Sequence, residues 1–121
     1  MTDERLMLEL PRLGMDVDGA LRRFSGKQTI LLKYVRQLPN DPSHRNFCTA
    51  MEAKDYAQAE SAIHMLKGVS SNLGFDEISR LANSILTDLR GGHPENTVQA
   101  VEQLDKLYTE TVFSLMDILS M

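Results

Sequence analysis

The chain has 121 residues, 42% hydrophobic and 25% charged, enough for one compact domain over residues 1–121 with a real core and too little for a second. Its formal net charge of −4 argues against a nucleic-acid surface, which would show clustered Lys and Arg, and points to protein partners. The single cysteine, Cys48, excludes an internal disulfide, a Cys-based zinc cluster and a CxxC redox pair. No apolar run approaches the roughly 20 residues that cross a bilayer, and acidic Met1–Glu9 has no signal-peptide pattern, so a soluble cytoplasmic chain without membrane contact is expected.

In chain order, Pro11, Gly14 and Asp16 punctuate the start, and Val17 to Phe24 reads as a short helix opened by Asp16 or Asp18, a lid rather than a core element. Lys27 to Leu38 is amphipathic, with a stripe of Ile30, Leu31, Tyr34, Val35 and Leu38. Two prolines in Leu38-Pro39-Asn40-Asp41-Pro42 break the pattern, because each lacks an N–H and disfavours helix in the residue before it. A fresh helix then runs from Pro42 to about Ala53 on Phe47, Ala50 and Met51.

The next helix follows Asp55, carries Ala59, Ala62, Ile63, Leu66, Val69 and Leu73, and ends near Asn72, with Gly74 placed for a left-handed cap. Asp76 is the expected N-cap of the following one, whose stripe is Ile78, Leu81, Ala82, Ile85 and Leu89 and which stops at Gly91-Gly92. Pro94 opens the last helix, through Val98, Val101, Leu104, Leu107, Tyr108, Val112, Leu115 and Leu119. Nothing alternates with period two, so the expected fold is all-α: an antiparallel four-helix bundle with one or two short accessory N-terminal helices.

One residue sits on the wrong side of its helix for a core position. At 100° per residue His64 points about 160° away from the centre of the apolar stripe of its helix. Glu60, Gly68 and Ser71 share its face, and Lys67 flanks it. A glycine in mid-helix costs about 1 kcal/mol relative to alanine, and a solvated position has no packing reason to want one. The face thus offers water an imidazole, a bare patch of backbone and an ammonium within reach.

Several chemistries fail on spacing. A di-metal site in a bundle needs Glu-x-x-His pairs projecting inward, but Glu60 and His64 both face outward, while His44 and His93 lie beside prolines and read as solvated turn residues. A metal site is therefore not expected. Ser70 and Ser71 lack a nucleophile elbow, and no phosphate-binding loop is present, so neither a hydrolase nor an autokinase is expected. The seven methionines read as gap-fillers and Cys48 as a small buried apolar residue. A phosphocarrier needs less: an imidazole, mostly neutral in water at pH 7, attacks a phosphoryl group without a separate base, and Lys67 offsets the charge gained. Gly68 keeps the surface low for a partner, and Ser71 is placed to add a hydrogen bond.

The run His64-Met65-Leu66-Lys67-Gly68, followed by Ser70, Ser71, Leu73 and Gly74, resembles the signature of histidine-containing phosphotransfer (HPt) domains of two-component phosphorelays. Upstream, Leu13-Gly14-Met15-Asp16, Ala20-Leu21, Arg23, Gly26 and Asp55 extend the resemblance, which covers about Leu13 to Gly91. It departs from the family at Val69, where alanine or serine is usual, and at Thr87, where an acidic residue is common. The resemblance implies His64 as phosphoacceptor through Nε2, with Lys67 stabilising the phosphate and Glu60, Gly68 and Ser71 at the docking face. It implies response-regulator receiver domains and a sensor or hybrid histidine kinase as partners, magnesium only in the receiver, no cofactor of the chain's own and no catalytic centre. A monomer is expected. Two other readings stay open: the phosphoacceptor domain of a chemotaxis-type kinase, and a non-phosphorylated helical interaction module.

Overall fold

The computed structural model describes all 121 residues as seven α-helices joined by short turns: α1 (Asp3–Glu9), α2 (Val17–Arg23), α3 (Gln28–Gln37), α4 (Ser43–Glu52), α5 (Tyr56–Asn72), α6 (Asp76–Arg90) and α7 (Val98–Leu119). There is no strand. Residues 53–55 and 73–75 are too few to do anything but turn the chain back, so α4, α5 and α6 run antiparallel to their neighbours in sequence. α5 packs between α4 and α6, and α6 packs on α7. No helix is long and apolar enough to cross a membrane.

The caps show why these helices start and stop where they do. Asp55 Oδ1 accepts from Gln58 N–H at 3.2 Å and opens α5. At its other end Gly74 takes φ +79°, Phe75 N–H donates to Ser70 O at 2.9 Å, and the terminal carbonyls are satisfied as expected. Asp41 Oδ1 accepts from Ser43 N–H at 2.9 Å, starting α4 beyond the break at Leu38–Asn40, which closes as a 3-10 turn. Asp76 is not a cap: it is the first residue of α6, behind Phe75, and its side chain makes no capping bond. Pro94–Thr97 is likewise a 3-10 turn rather than the opening of α7, which starts at Val98.

The N-terminus departs most from the sequence reading. Residues 3–9 form α1, capped by Thr2, with Leu6 and Leu10 fully buried and Asp3 paired with Arg36 of α3 at 2.8 Å. α2 is more than a lid, since Ala20 is fully buried in the core. In α3 the buried set is Leu31, Leu32 and Val35, with Leu38 buried in the turn that follows, while Ile30 and Tyr34 are exposed. The packing of α1 and α2 on α3 pulls its inner face toward Leu32, and Tyr34 packs instead on Phe24, ring centroids 5.6 Å apart.

The apolar cluster runs from Leu6 to Ile118 and draws on every helix. One backbone clasp ties its early part to α5. Asp16 N–H donates to Gly74 O at 2.8 Å, and a Cβ at Gly74 would stand 2.5 Å from Asp16 O. Positive φ and this close approach both require glycine there.

Candidate functional site

α5 presents the sequence-selected face much as rotation about its axis dictates. Ala59, Ala62, Ile63, Leu66 and Ser70 are buried, and His64, Met65 and Gly68 are exposed. His64 has no hydrogen-bond or ion-pair partner within the chain, so its ring nitrogens are left to solvent. Lys67 is half-buried, one turn from His64. A Cβ built on Gly68 would meet nothing within 4 Å, so the space above the helix there is open. No packing requirement explains this glycine.

The rest of the face divides. Glu60 is held by Arg90 of α6, Oε1 to Nε 3.1 Å, across the groove between the two helices. It serves as a tie between helices as well as a member of the face. Ser71 is half-buried, and its carbonyl, not its hydroxyl, is engaged, accepting from Gly74 N–H at 3.2 Å. Ser70 points inward, its hydroxyl donating to Leu66 O at 2.7 Å. One turn past Gly68, Asn72 reaches a cleft of about 650 Å³ whose walls include Phe24, Tyr34, Leu38, Val69 and Leu73. Val69, the departure noted in the motif, thus supplies an apolar wall on the flank of the histidine helix.

The other two histidines differ. His93 is exposed beside Pro94, with Nδ1 3.2 Å from Glu95 Oε1, a solvated turn residue as expected. His44 is not. It lies in the first turn of α4 with its side chain only 15% exposed, stacked on Tyr108 of α7 at 4.4 Å between ring centroids. Asp105 Oδ1 accepts from its Nε2 at 2.8 Å. Pro42 marked a turn in the sequence, but the turn ends there and His44 is the second residue of α4, and the partners come from 61 and 64 residues further along the chain. Cys48, one turn on from His44, is half-buried, and burial, followed by the Asp105 carboxylate, pushes its thiol up to about 11.

The chain matches the family model of the Hpt domain over residues 31–112. The match takes in α4, α5 and α6 entire, and begins after the upstream run Leu13 to Gly26. No curated protein and no solved structure matches the chain.

Proposed function

From the premise that this chain belongs to the Hpt domain family, we propose that it is a phosphocarrier of a phosphorelay, with His64 as the residue that carries the phosphoryl group between receiver-domain aspartates. The observation that carries this reading is the conjunction on one face of α5 of an exposed, unpartnered imidazole and a glycine with open space above it.

The chemistry asks little more of the chain. A ring nitrogen of His64, taken as Nε2, attacks the phosphorus of an aspartyl phosphate on the partner. A P–N bond forms as the P–O bond to the aspartate breaks, and the carboxylate leaves with the electron pair. An imidazole nitrogen that bears no proton supplies its own lone pair, so no general base is needed. The reverse step returns the phosphoryl group to another receiver. Because the transferred group spreads its charge over three oxygens, catalysis is positioning plus charge neutralisation. Lys67 is placed to supply one positive charge from this side, and the magnesium ion belongs to the receiver.

Gly68 gives the approaching receiver a low surface one turn from His64, and the cleft walled by Val69 and Leu73 offers an apolar hold beside it. Ser71 flanks Gly68 on the side away from that cleft and is available to hydrogen-bond the partner. In this reading the protein works in the cytoplasm, and a sensor or hybrid histidine kinase stands upstream of the receiver that charges it.

The test is transfer from a receiver phosphorylated on its aspartate. The expected result is a phosphoryl group on the chain that is labile in acid and stable in base, lost in His64→Gln. Stable receiver binding with no transfer would replace this reading with that of an interaction module.

A further inference from the structure

We infer that His44, Cys48 and Asp105 form a zinc site that bridges α4 and α7, a role independent of the phosphocarrier reading and carried by no residue of α5. The donor atoms are Nε2, Sγ and Oδ1, and all three lie within 4.8 Å of one another. His44 and Cys48 are four residues apart on α4 and so share one face, while Asp105 comes from α7 opposite them. This requires the fold: nothing in the spacing of residues 44 and 48 announces a third donor 57 positions later.

The separations fit a four-coordinate ion. Zinc–sulfur, zinc–nitrogen and zinc–oxygen bonds at tetrahedral angles place donors about 3.3–3.6 Å apart. Cys48 Sγ lies 3.6 Å from His44 Nε2 and 3.7 Å from Asp105 Oδ1. Only the 2.8 Å between His44 Nε2 and Asp105 Oδ1 must open, by about half an ångström, when an ion replaces the hydrogen bond.

Charge and support agree with the geometry. Zn²⁺ with one thiolate and one carboxylate is neutral overall, which suits a half-buried position better than a net charge would. Binding exchanges a proton for a metal at sulfur: the Cys48 S–H bond breaks, the Zn–S bond forms and the proton leaves to solvent. A neutral His44 keeps its proton by moving it from Nε2 to Nδ1. The Tyr108 ring stacked on His44 fixes the imidazole plane, as groups behind metal ligands characteristically do. Asp105 is 43% exposed, so the fourth position opens to water. The ligand mix of thiolate, imidazole and carboxylate is one that zinc accepts and that magnesium and calcium do not.

Cobalt(II) and zinc titrations of the chelator-treated full chain test this. Cobalt is expected to raise a near-ultraviolet sulfur-to-metal charge-transfer band saturating at one equivalent, and one equivalent of zinc to abolish it. Zinc is expected to raise the melting temperature and to slow alkylation of Cys48 in the unsubstituted protein. Changes behind the ligands alone cost about 10–100-fold in affinity, so Asp105→Asn and His44→Gln are each expected to lose at least that, while His64→Gln binds as the parent does. Absence of the charge-transfer band, or equal zinc affinity in Cys48→Ser and the parent, overturns the site. Should Cys48→Ser fail to fold, the cobalt band and the alkylation rate of the parent decide the question without it.

Discussion

Two histidines on adjacent helices meet opposite fates. His64, on the outer face of α5, has no partner in the chain and a bare glycine beside it. His44, on α4, is stacked on Tyr108, hydrogen-bonded to Asp105 and flanked by Cys48. The same side chain is available to a visitor in one place and committed to the fold in the other. Its neighbours decide which, through two different kinds of neighbour: those one turn away on the same helix, and those brought in by tertiary packing.

The most severe test of this contrast is His64→Gln, expected to abolish phosphoryl acceptance while changing unfolding free energy by no more than about 0.5 kcal/mol, read from labelling and a thermal melt of the same preparation. Labelling that survives would move the acceptor elsewhere and end the comparison. His44→Ala should do the reverse. It removes an aromatic stack and a hydrogen bond to a carboxylate across α4 and α7, for a loss of about 1–3 kcal/mol in denaturant unfolding, with transfer at the parental rate. A folded His44→Ala protein with slowed transfer would show that the two regions are coupled.

Gly68 sharpens the outer face. Alanine should stabilise the helix by up to about 1 kcal/mol, since its methyl meets nothing. Glutamine should keep the fold yet weaken receiver docking or slow transfer about tenfold or more, the consequence of crowding an interface. Normal transfer in Gly68→Gln would remove the docking role. A smaller effect separates Glu60 as a tie from Glu60 as a contact: Arg90→Ala should cost less than about 1 kcal/mol for an exposed ion pair and leave transfer unchanged. Transfer impaired by Glu60→Gln but not by Arg90→Ala would place Glu60 against the partner.

The inner region carries an alkaline signature. Burial, then the Asp105 carboxylate, pushes the Cys48 thiol from 9.0 up to about 11, and burial, then Asp41, pushes Tyr108 from 10.0 up to about 12. Both groups hold their protons more tightly folded than unfolded. The stability they contribute is therefore whole below pH 9 and lost as pH rises through about 12. Denaturant midpoints measured with chelator present should fall over that range, and fall less in Cys48→Ala.

The outer face was legible from the sequence because helical rotation is local: 100° per residue puts His64 about 160° from Leu66 and from the centre of the stripe whatever else the chain does. Gly74 was legible as a cap for the same reason. His44 was not, because Pro42 is a local signal for a turn whereas Tyr108 and Asp105 become neighbours only when α7 closes the bundle. In α3 the adjacent Leu31 and Leu32 left the stripe open to a shift of one position, and the helices packed on it settled which side turned inward. α1 escaped notice for a different reason: of its seven residues three are acidic and Leu6 is the one fully buried apolar side chain, with Leu10 just beyond its end. The capping threonine and the acidic first turn were the available signal.

The clasp between Asp16 and Gly74 has a consequence for where this protein can be cut. Similarity marks out residues 31–112, yet Leu6, Leu10, Leu13, Met15 and Ala20 lie in the apolar interior, and Gly74 O accepts from Asp16 N–H. A chain trimmed to the matched span would leave the C-terminal turn of the histidine helix short of its backbone partner and expose the leucines of α3 to water. It is expected to aggregate or melt early, although every residue proposed to touch phosphate is retained. What relatives share and what must be inherited together are different lengths of chain.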